Sequence, residues 1–238
     1  MIIKTLIRKE LQDYFSSPIA YIYILAFLFI SHTFFFKHLF LFNEASLKSF
    51  FMFAPYFSVL LVSAISMRTW SEEKKNKTLD FLFTLPITDK QVIFAKYIAS
   101  LLFIFMIILA TVPFLFVILY LGQPDIGPMI ISYFALFLLC ACFLSIGLCM
   151  SSLTDNQIIS FLLTLLTSLF FLFTQAPIVL YSFPKFMTQF LHFISLENHY
   201  LTLIKGVVTF QTILYFASFI FTFLFLNAQI LSNRLYKK

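Results

Sequence analysis

Long apolar segments dominate this sequence and leave few folds open to it. Six of them approach the roughly 20 residues that a helix needs to cross about 30 Å of hydrocarbon. Of the 238 residues, 61% are hydrophobic and only 11% are charged, whereas a soluble domain carries about a quarter charged residues. No core of this chain could hide so much apolar surface from water. The sequence therefore predicts an all-α integral membrane protein and excludes a soluble enzyme, a disordered chain and a disulfide scaffold.

Helix start and stop signals bound the predicted membrane-spanning helices. Ser17 and Pro18 open the first span, Pro113 predicts a kink in the third, and Gly122 with Pro124 ends it. An even number of spans places both termini on one side of the membrane. The six predicted spans cover residues 18–36, 50–67, 92–121, 127–150, 156–173 and 212–231.

The basic residues predict which side carries the termini. Of the 16 Lys and Arg residues, 12 fall on the side of the termini, and the other four are Lys37, Lys48, Lys185 and Lys205. Basic residues concentrate on the cytoplasmic side of membrane proteins, so both termini are expected in the cytoplasm. The net charge of +6 is then explained by anionic lipid headgroups of the bilayer, and no nucleic-acid partner is expected.

Two segments outside the spans have helical periodicity of their own. Residues 1–16 place apolar side chains opposite Lys4, Arg8 and Lys9, which predicts an interfacial helix. A simple membrane anchor and a helix that also packs on a partner both remain open. Residues 175–211 are too long for a plain connection, and we predict two short helices there, the second capped by Gly206.

The loop over residues 68–91 is the most charged segment and carries several helix signals. A first short helix is predicted to end at Asn76 in the left-handed conformation. Thr78 then caps a second short helix, with Asp80 in its first turn and Pro86 at its end. These signals favour a rigid element attached to two spans over a merely solvated loop.

Two further turns read as capping boxes, in which a Ser or Thr and a Glu or Gln three residues later bond each other's backbone. The pair Thr88 and Gln91 starts the third span. The pair Thr154 and Gln157, with Asp155 between them, belongs to a tight turn on the same side.

Motifs of known chemistry are missing from the sequence. Gly122 and Gly127 have near P-loop spacing, but no Lys-Ser/Thr follows, and neither His-Glu-x-x-His nor Gly-x-Ser-x-Gly occurs. His192, Glu197 and His199 do not have the spacing of a metal-ligand set, so we predict neither a catalytic residue nor a metal site. The spans contain almost no ionisable side chains, which disfavours a proton pump or ion-coupled carrier. A transport protein of this kind must draw its energy from elsewhere.

One segment resembles the signature of type-2 ABC exporter (ABC-2) permeases. It reads Met67-Arg-Thr-Trp-Ser-Glu-Glu-Lys-Lys-Asn-Lys-Thr-Leu-Asp-Phe-Leu-Phe-Thr-Leu-Pro-Ile, against a family pattern of roughly Met-Arg-x-x-(Ala/Ser)-Glu-Glu-Lys/Arg-x-x-Gly-Thr-Leu/Ile-Glu/Asp-x-Leu-x-Thr-x-Pro. Residues 14–21, 151–157 and 205–208 are also similar to the gliding-motility-type permease subunits. The chain departs from the pattern at Lys77, where the family usually has Gly.

The resemblance implies the ABC-2 exporter (type V) architecture, with a single transmembrane domain over residues 1–238. It implies that residues 68–91 hold the coupling helix that docks on an ATPase subunit. Residues 1–16 would be the connecting helix, and residues 175–211 the outer helices that shape the exit. The expected coupling residues are Arg68, Glu72, Glu73, Lys74, Thr78, Asp80 and Pro86, with Thr154, Asp155 and Gln157 in the second turn on that side.

The implied function is that of a permease subunit of an ATP-driven exporter in the bacterial plasma (inner) membrane. Two copies of an ABC ATP-binding subunit would bind ATP and Mg, and the permease itself would bind no cofactor. It would work as a homodimer, or as a heterodimer with a second permease or auxiliary membrane subunit. Two alternatives stay open: a structural or regulatory component of a gliding or secretion machine that moves no cargo, and a permease of haem or copper-enzyme maturation.

Overall fold

The computed structural model describes residues 2–42, 46–79, 88–122, 124–174 and 185–235, and these contain helices but no strand. The helices are α1 (Ile2–Ser16), α2 (Pro18–Phe42), α3 (Lys48–Ser66), α4 (Ser71–Lys75), α5 (Asp89–Leu109), α6 (Pro113–Leu121), α7 (Ile126–Ser151), α8 (Gln157–Phe173), α9 (Lys185–Ile194), α10 (Leu196–Ile204) and α11 (Phe210–Leu235).

Six long elements run between two ends of one bundle: α2, α3, α5 with α6, α7, α8 and α11. Five of them are long and apolar enough to cross a membrane, and α8 has 17 residues. At about 1.5 Å per residue, α8 is slightly short of a full crossing. It nevertheless joins the same two ends, because its start lies beside α4 and Phe173 near its end lies against Tyr56. The predicted all-helical membrane fold is confirmed.

One end of the bundle gathers α1, α4, the start of α5, the turn between α7 and α8, and the end of α11. We call it the basic end, because most of the lysines and arginines lie there. The helices nearest to the two termini therefore approach the same end, as an even number of crossings requires.

The third crossing is broken at the predicted proline. Helix α5 ends at Leu109 and α6 begins with Pro113 in its first turn, because proline has no backbone N–H and its ring clashes with the preceding turn. The Thr111 carbonyl oxygen at the break accepts a hydrogen bond from Tyr133 Oη at 3.0 Å. The same oxygen also accepts from the Phe114 N–H at 3.0 Å, so Tyr133 of the neighbouring helix α7 adds a second hydrogen bond that holds the break against α7.

The centre of the bundle is formed by α3 and α7, which are mostly buried, whereas α2 and α11 lie outside and are mostly exposed. Helix α7 contacts α3, α5, α8, α10 and α11. Its Gly147 lies so close to α3 that a Cβ there would overlap Ser66 Cβ and Oγ and would lie 3.2 Å from Thr164 Cγ2 of α8. A small residue at this position sets the separation of three helices.

The end opposite the basic end is closed by α9 and α10. Helix α10 packs on α3 and α7: Tyr200 Oη donates to the Phe51 carbonyl oxygen at 2.7 Å, and Tyr56 Oη donates to Glu197 Oε1 at 3.1 Å. Gly206, at φ +81°, follows α10 in the left-handed conformation, as predicted. Residues 175–184 of the predicted outer segment lie outside the described residues.

We predict that Gly147→Ala lowers the melting temperature of the detergent-solubilised protein, because overpacking costs about 1–3 kcal/mol. The matched control is Gly127→Ala on the same helix, since a Cβ at Gly127 meets nothing within 4 Å. Equal melting temperatures for the two variants would contradict the close approach of α3 and α7.

Candidate functional site

A buried lysine holds three elements together at the basic end. The Lys96 side chain of α5 is 3% exposed, and its Nζ lies 2.8 Å from Glu10 Oε1 of α1 and 2.7 Å from Glu73 Oε1 of α4. Nζ also lies 5.3 Å from the ring centroid of Trp70. A buried cation is tolerated only with such partners, because removing it from water is expensive. We call Lys96, Glu10 and Glu73 the charge triad.

A second polar link joins the start of α2 to the end of α3. Arg68 Nη1 donates to Ser17 Oγ at 3.0 Å, and Arg68 Nε lies 3.8 Å from Glu72 Oε2.

Between this link and the charge triad lies a cavity of about 410 Å³, bounded by α1, the α3–α4 connection and α5. Its charged lining residues are Lys9, Glu10, Asp13, Arg68, Glu72, Glu73 and Lys96.

Helix α1 is fixed along α5 by contacts beyond the charge triad. Tyr14 Oη and Ser100 Oγ are hydrogen-bonded at 2.8 Å, and the rings of Tyr14 and Phe103 stack with centroids 4.9 Å apart. The helix predicted from the periodicity of residues 1–16 is therefore present, and it packs on the bundle. Its position at the membrane surface stays a prediction.

The segment around α4 is also bound to the turn between α7 and α8. Ser151 Oγ accepts from the backbone N–H of Trp70 at 3.1 Å and from that of Ser71 at 3.2 Å. Lys74 Nζ donates to the Ser152 carbonyl oxygen and lies 3.9 Å from Asp155 Oδ1. The structure thus brings the two turns predicted on this side into direct contact.

The end of α4 corrects the predicted role of Asn76. Asn76 is right-handed, with φ −83°, and Lys77 has the positive φ of 56°. The Thr78 N–H donates to the Glu73 carbonyl at 2.9 Å and the Lys77 N–H to the Lys74 carbonyl at 3.1 Å. This is the Schellman pairing, which puts the left-handed residue one position after the C-cap. Lys77 therefore adopts the conformation that suits the usual family glycine.

The two predicted capping boxes have different outcomes. The first is confirmed: the Thr88 N–H donates to Gln91 Oε1 at 3.2 Å. The second is wrong, because α8 is capped by Asn156, whose Oδ1 accepts from the Ile158 N–H at 2.9 Å. Gln157 is the first residue of that helix and not its third, so it stands two residues too early for the box.

The remaining predicted site residues are placed as follows. Thr78 Oγ1 donates to the Glu73 carbonyl at 3.3 Å. Asp80 and Pro86 lie outside the described residues, as does the helix that Thr78 was predicted to cap. Thr154 Oγ1 accepts from the Asn156 N–H at 3.1 Å, within the same turn as Asp155.

Sequence reasoning missed Glu10, Lys96, Trp70 and Ser151 as members of this site. Lys96 is one of the 12 basic residues on the side of the termini, and it stands seven residues into an apolar helix. An ionisable side chain inside a span calls for a charged partner, and this signal could have directed attention to nearby carboxylates. Nothing in the local pattern singles out Ser151.

The residues considered as metal ligands have other contacts. Glu197 accepts from Tyr56, and His199 stacks on Tyr215 with ring centroids 3.9 Å apart. Burial raises the pKa of Glu197 and lowers that of His199. Within the described ranges, no group of three His, Cys, Asp or Glu residues could hold a metal ion.

These features define a multi-pass helical membrane protein whose polar site lies at one end of the bundle. Residues 5–231 match the family model described as ABC-2 family transporter protein, and the chain belongs to this family. It is thus a membrane component of an ABC transporter, a class that partners with an ATP-binding subunit and is not itself the ATPase. A search of curated proteins found no match.

We predict that Lys96→Met strongly destabilises the protein, because it leaves Glu10 and Glu73 buried without their cation. Breaking a buried ion pair in this way costs about 3–5 kcal/mol, which thermal unfolding in detergent would measure. Adding Glu10→Gln and Glu73→Gln should restore part of the loss. Lys90→Met, an exposed position on the same helix, is the matched control, and equal melting temperatures for Lys96→Met and Lys90→Met would contradict the charge triad.

A second prediction concerns the left-handed residue after α4. A left-handed conformation costs a non-glycine residue roughly 1–2 kcal/mol, so Lys77→Gly should raise stability by up to about 1 kcal/mol. Asn76→Gly should lower it by about 0.5–1 kcal/mol, because Asn76 is right-handed and glycine adds only flexibility there. Thermal unfolding of both variants measures the difference, and the opposite order would exclude this helix end.

Proposed function

We propose that this permease receives the conformational change of an ATP-binding subunit through α4 and passes it to the membrane-spanning helices. The observation that carries the proposal is the charge triad, in which one lysine of α5 binds carboxylates of α1 and α4. A displacement of α4 therefore acts on α1 and α5 together. Through Ser151 and Lys74 it also acts on the turn between α7 and α8.

The predicted coupling residues divide into two groups by exposure. Glu73 and Lys74 have side chains 19% and 4% exposed, and both bind the bundle. Glu72 is 45% exposed, and residues 75–78 are exposed as well. We infer that Glu73 and Lys74 hold α4 in place, whereas Glu72 and residues 75–78 form the surface that meets the ATP-binding subunit.

In this proposal the ATP-binding subunits bind ATP and Mg, and the permease contributes the membrane path. The bound nucleotide can shift the permease only if α4 is contacted differently in the two nucleotide states. The substrate path would then alternate between the two sides of the membrane, giving export. The basic end would face the cytoplasm of a bacterium, in keeping with the bias of Lys and Arg.

The proposed assembly has two permeases and two ATP-binding subunits. The second permease is either another copy of this single-domain chain or a related membrane subunit. The segments at residues 14–21, 151–157 and 205–208 support a place in the gliding-motility-type branch. In the same scheme α1 is the connecting helix, and α9 with α10 borders the exit.

We predict that Glu72→Lys weakens association with the ATP-binding subunit by about tenfold or more, because a reversed charge at a docking surface opposes a complementary partner. The melting temperature of the permease should change little, since an exposed ion pair such as Glu72 with Arg68 contributes about 1 kcal/mol at most. Co-purification in mild detergent and the ATPase rate of the complex in nanodiscs are the measurements.

The matched control is Asp125→Lys, the same charge reversal at an exposed position of the opposite end. It should leave both association and ATPase rate unchanged. Normal association of Glu72→Lys, or equal losses in both variants, would contradict the assignment of the docking surface.

A further inference from the structure

The single tryptophan of the chain, Trp70, has an unused hydrogen-bond donor. Its side chain is fully buried in a cluster with Val92 and Ile93 of α5 and Leu231 of α11. Within the described part of the chain, the indole Nε1–H has no hydrogen-bond partner. The backbone N–H of the same residue is bound to Ser151, so Trp70 stands where α4, α5, α7 and α11 meet.

Asn227 of α11 is unpartnered in the same way. It is 0% exposed, and among the described residues neither Oδ1 nor Nδ2 finds a hydrogen-bond partner. Leu224, Ala228 and Leu231 all pack in the Trp70 cluster. Because residues three and four apart share a helix face, Asn227 lies within the stripe of α11 that faces Trp70.

An unbonded indole donor thus lies in this apolar cluster, and an unbonded amide lies on the stripe of α11 that packs in it. Each buried unpaired polar group costs free energy, and lipid offers no water to offset the cost. A leucine at position 227 would avoid it, as at positions 224, 226 and 231 of the same helix. An unpaired polar group that costs free energy in one conformation is explained if it forms a hydrogen bond in another conformation.

We propose that Asn227 is a positioning residue that accepts a hydrogen bond from the Trp70 indole in the second conformation of the permease. The bond links α11 to α4 and stabilises that conformation relative to the present one. The inference deepens the proposed function, because it rests on α4 moving when nucleotide binds to the partner subunit. It adds the last membrane-spanning helix to the elements that respond.

The test uses 19F NMR of the permease produced with 5-fluorotryptophan, so that Trp70 gives the only signal. The labelled permease is assembled in nanodiscs with an unlabelled ATP-binding subunit and measured without nucleotide and with MgATP plus vanadate. In the natural protein we expect a second resonance to appear with nucleotide. In Asn227→Leu, the population of the second resonance relative to the first should fall about tenfold, because the variant loses one buried hydrogen bond.

Two further variants test whether the amide group at position 227 is responsible, and not the polarity of α11 in general. Asn227→Gln keeps an amide and should retain part of the second resonance. Gln229→Leu makes the same polar-to-apolar change at an exposed position of α11 and should leave the ratio unchanged. Without nucleotide, the melting temperature of Asn227→Leu should equal or exceed that of the natural protein, because the variant removes an unpaired group.

The outcomes distinguish this inference from the proposed function. No second resonance in the natural protein would overturn the movement of α4, and with it the proposed function. A resonance that appears equally in the natural protein and in Asn227→Leu would overturn the role of Asn227 alone. A melting temperature of Asn227→Leu below that of the natural protein would also overturn it, since Asn227 would then already be bonded in the present state, for example to a trapped water.

Discussion

The ion pairs of Lys96 with Glu10 and Glu73 determine how the basic end is organised. They connect three elements that are far apart in sequence, and they do so through a lysine side chain that is 3% exposed. A single lysine is thus paired with two carboxylates from different elements. The elements cannot separate individually without exposing an unpaired buried charge. The basic end is therefore expected to respond to force as one unit, which is the mechanical property that a coupling element requires.

The bundle around this unit has two different kinds of packing. The interface of α3 and α7 is close and depends on Gly147, where even a methyl group has no space. The basic end has an apolar cluster around Trp70, but many of its contacts are polar and depend on long or hydroxylated side chains such as Arg68, Lys74 and Ser151. Close-packed interiors do not deform continuously, whereas hydrogen-bonded side chains can exchange partners. Movement of α1, α4 and the start of α5 as one unit is thus more easily accommodated than movement between the two central helices.

The sequence predicted those parts of the fold that depend on local signals. Apolar length located the crossings, Pro113 located the break, and Gly206 located the end of α10, because each acts on its own neighbours in the chain. The charge triad was not predicted, because it depends on a meeting of residues 10, 73 and 96. The errors at Asn76 and Gln157 are shifts within a turn. The pattern located each turn, but Lys77 and not Asn76 is left-handed, and Asn156 caps α8 in place of the predicted capping box.

The unequal burial of the crossings has a consequence for assembly. Helices α2 and α11 expose apolar side chains along their length, including Phe29, Phe40, Phe221 and Phe225. Aromatic rings of this size offer broad, rigid contact areas at little entropic cost. In the assembly proposed above, a second membrane chain would meet α2 or α11 and leave the central pair inside the bundle. The contact between permeases would then be separate from the contact of α3 with α7, so that residues of one can change without altering the other.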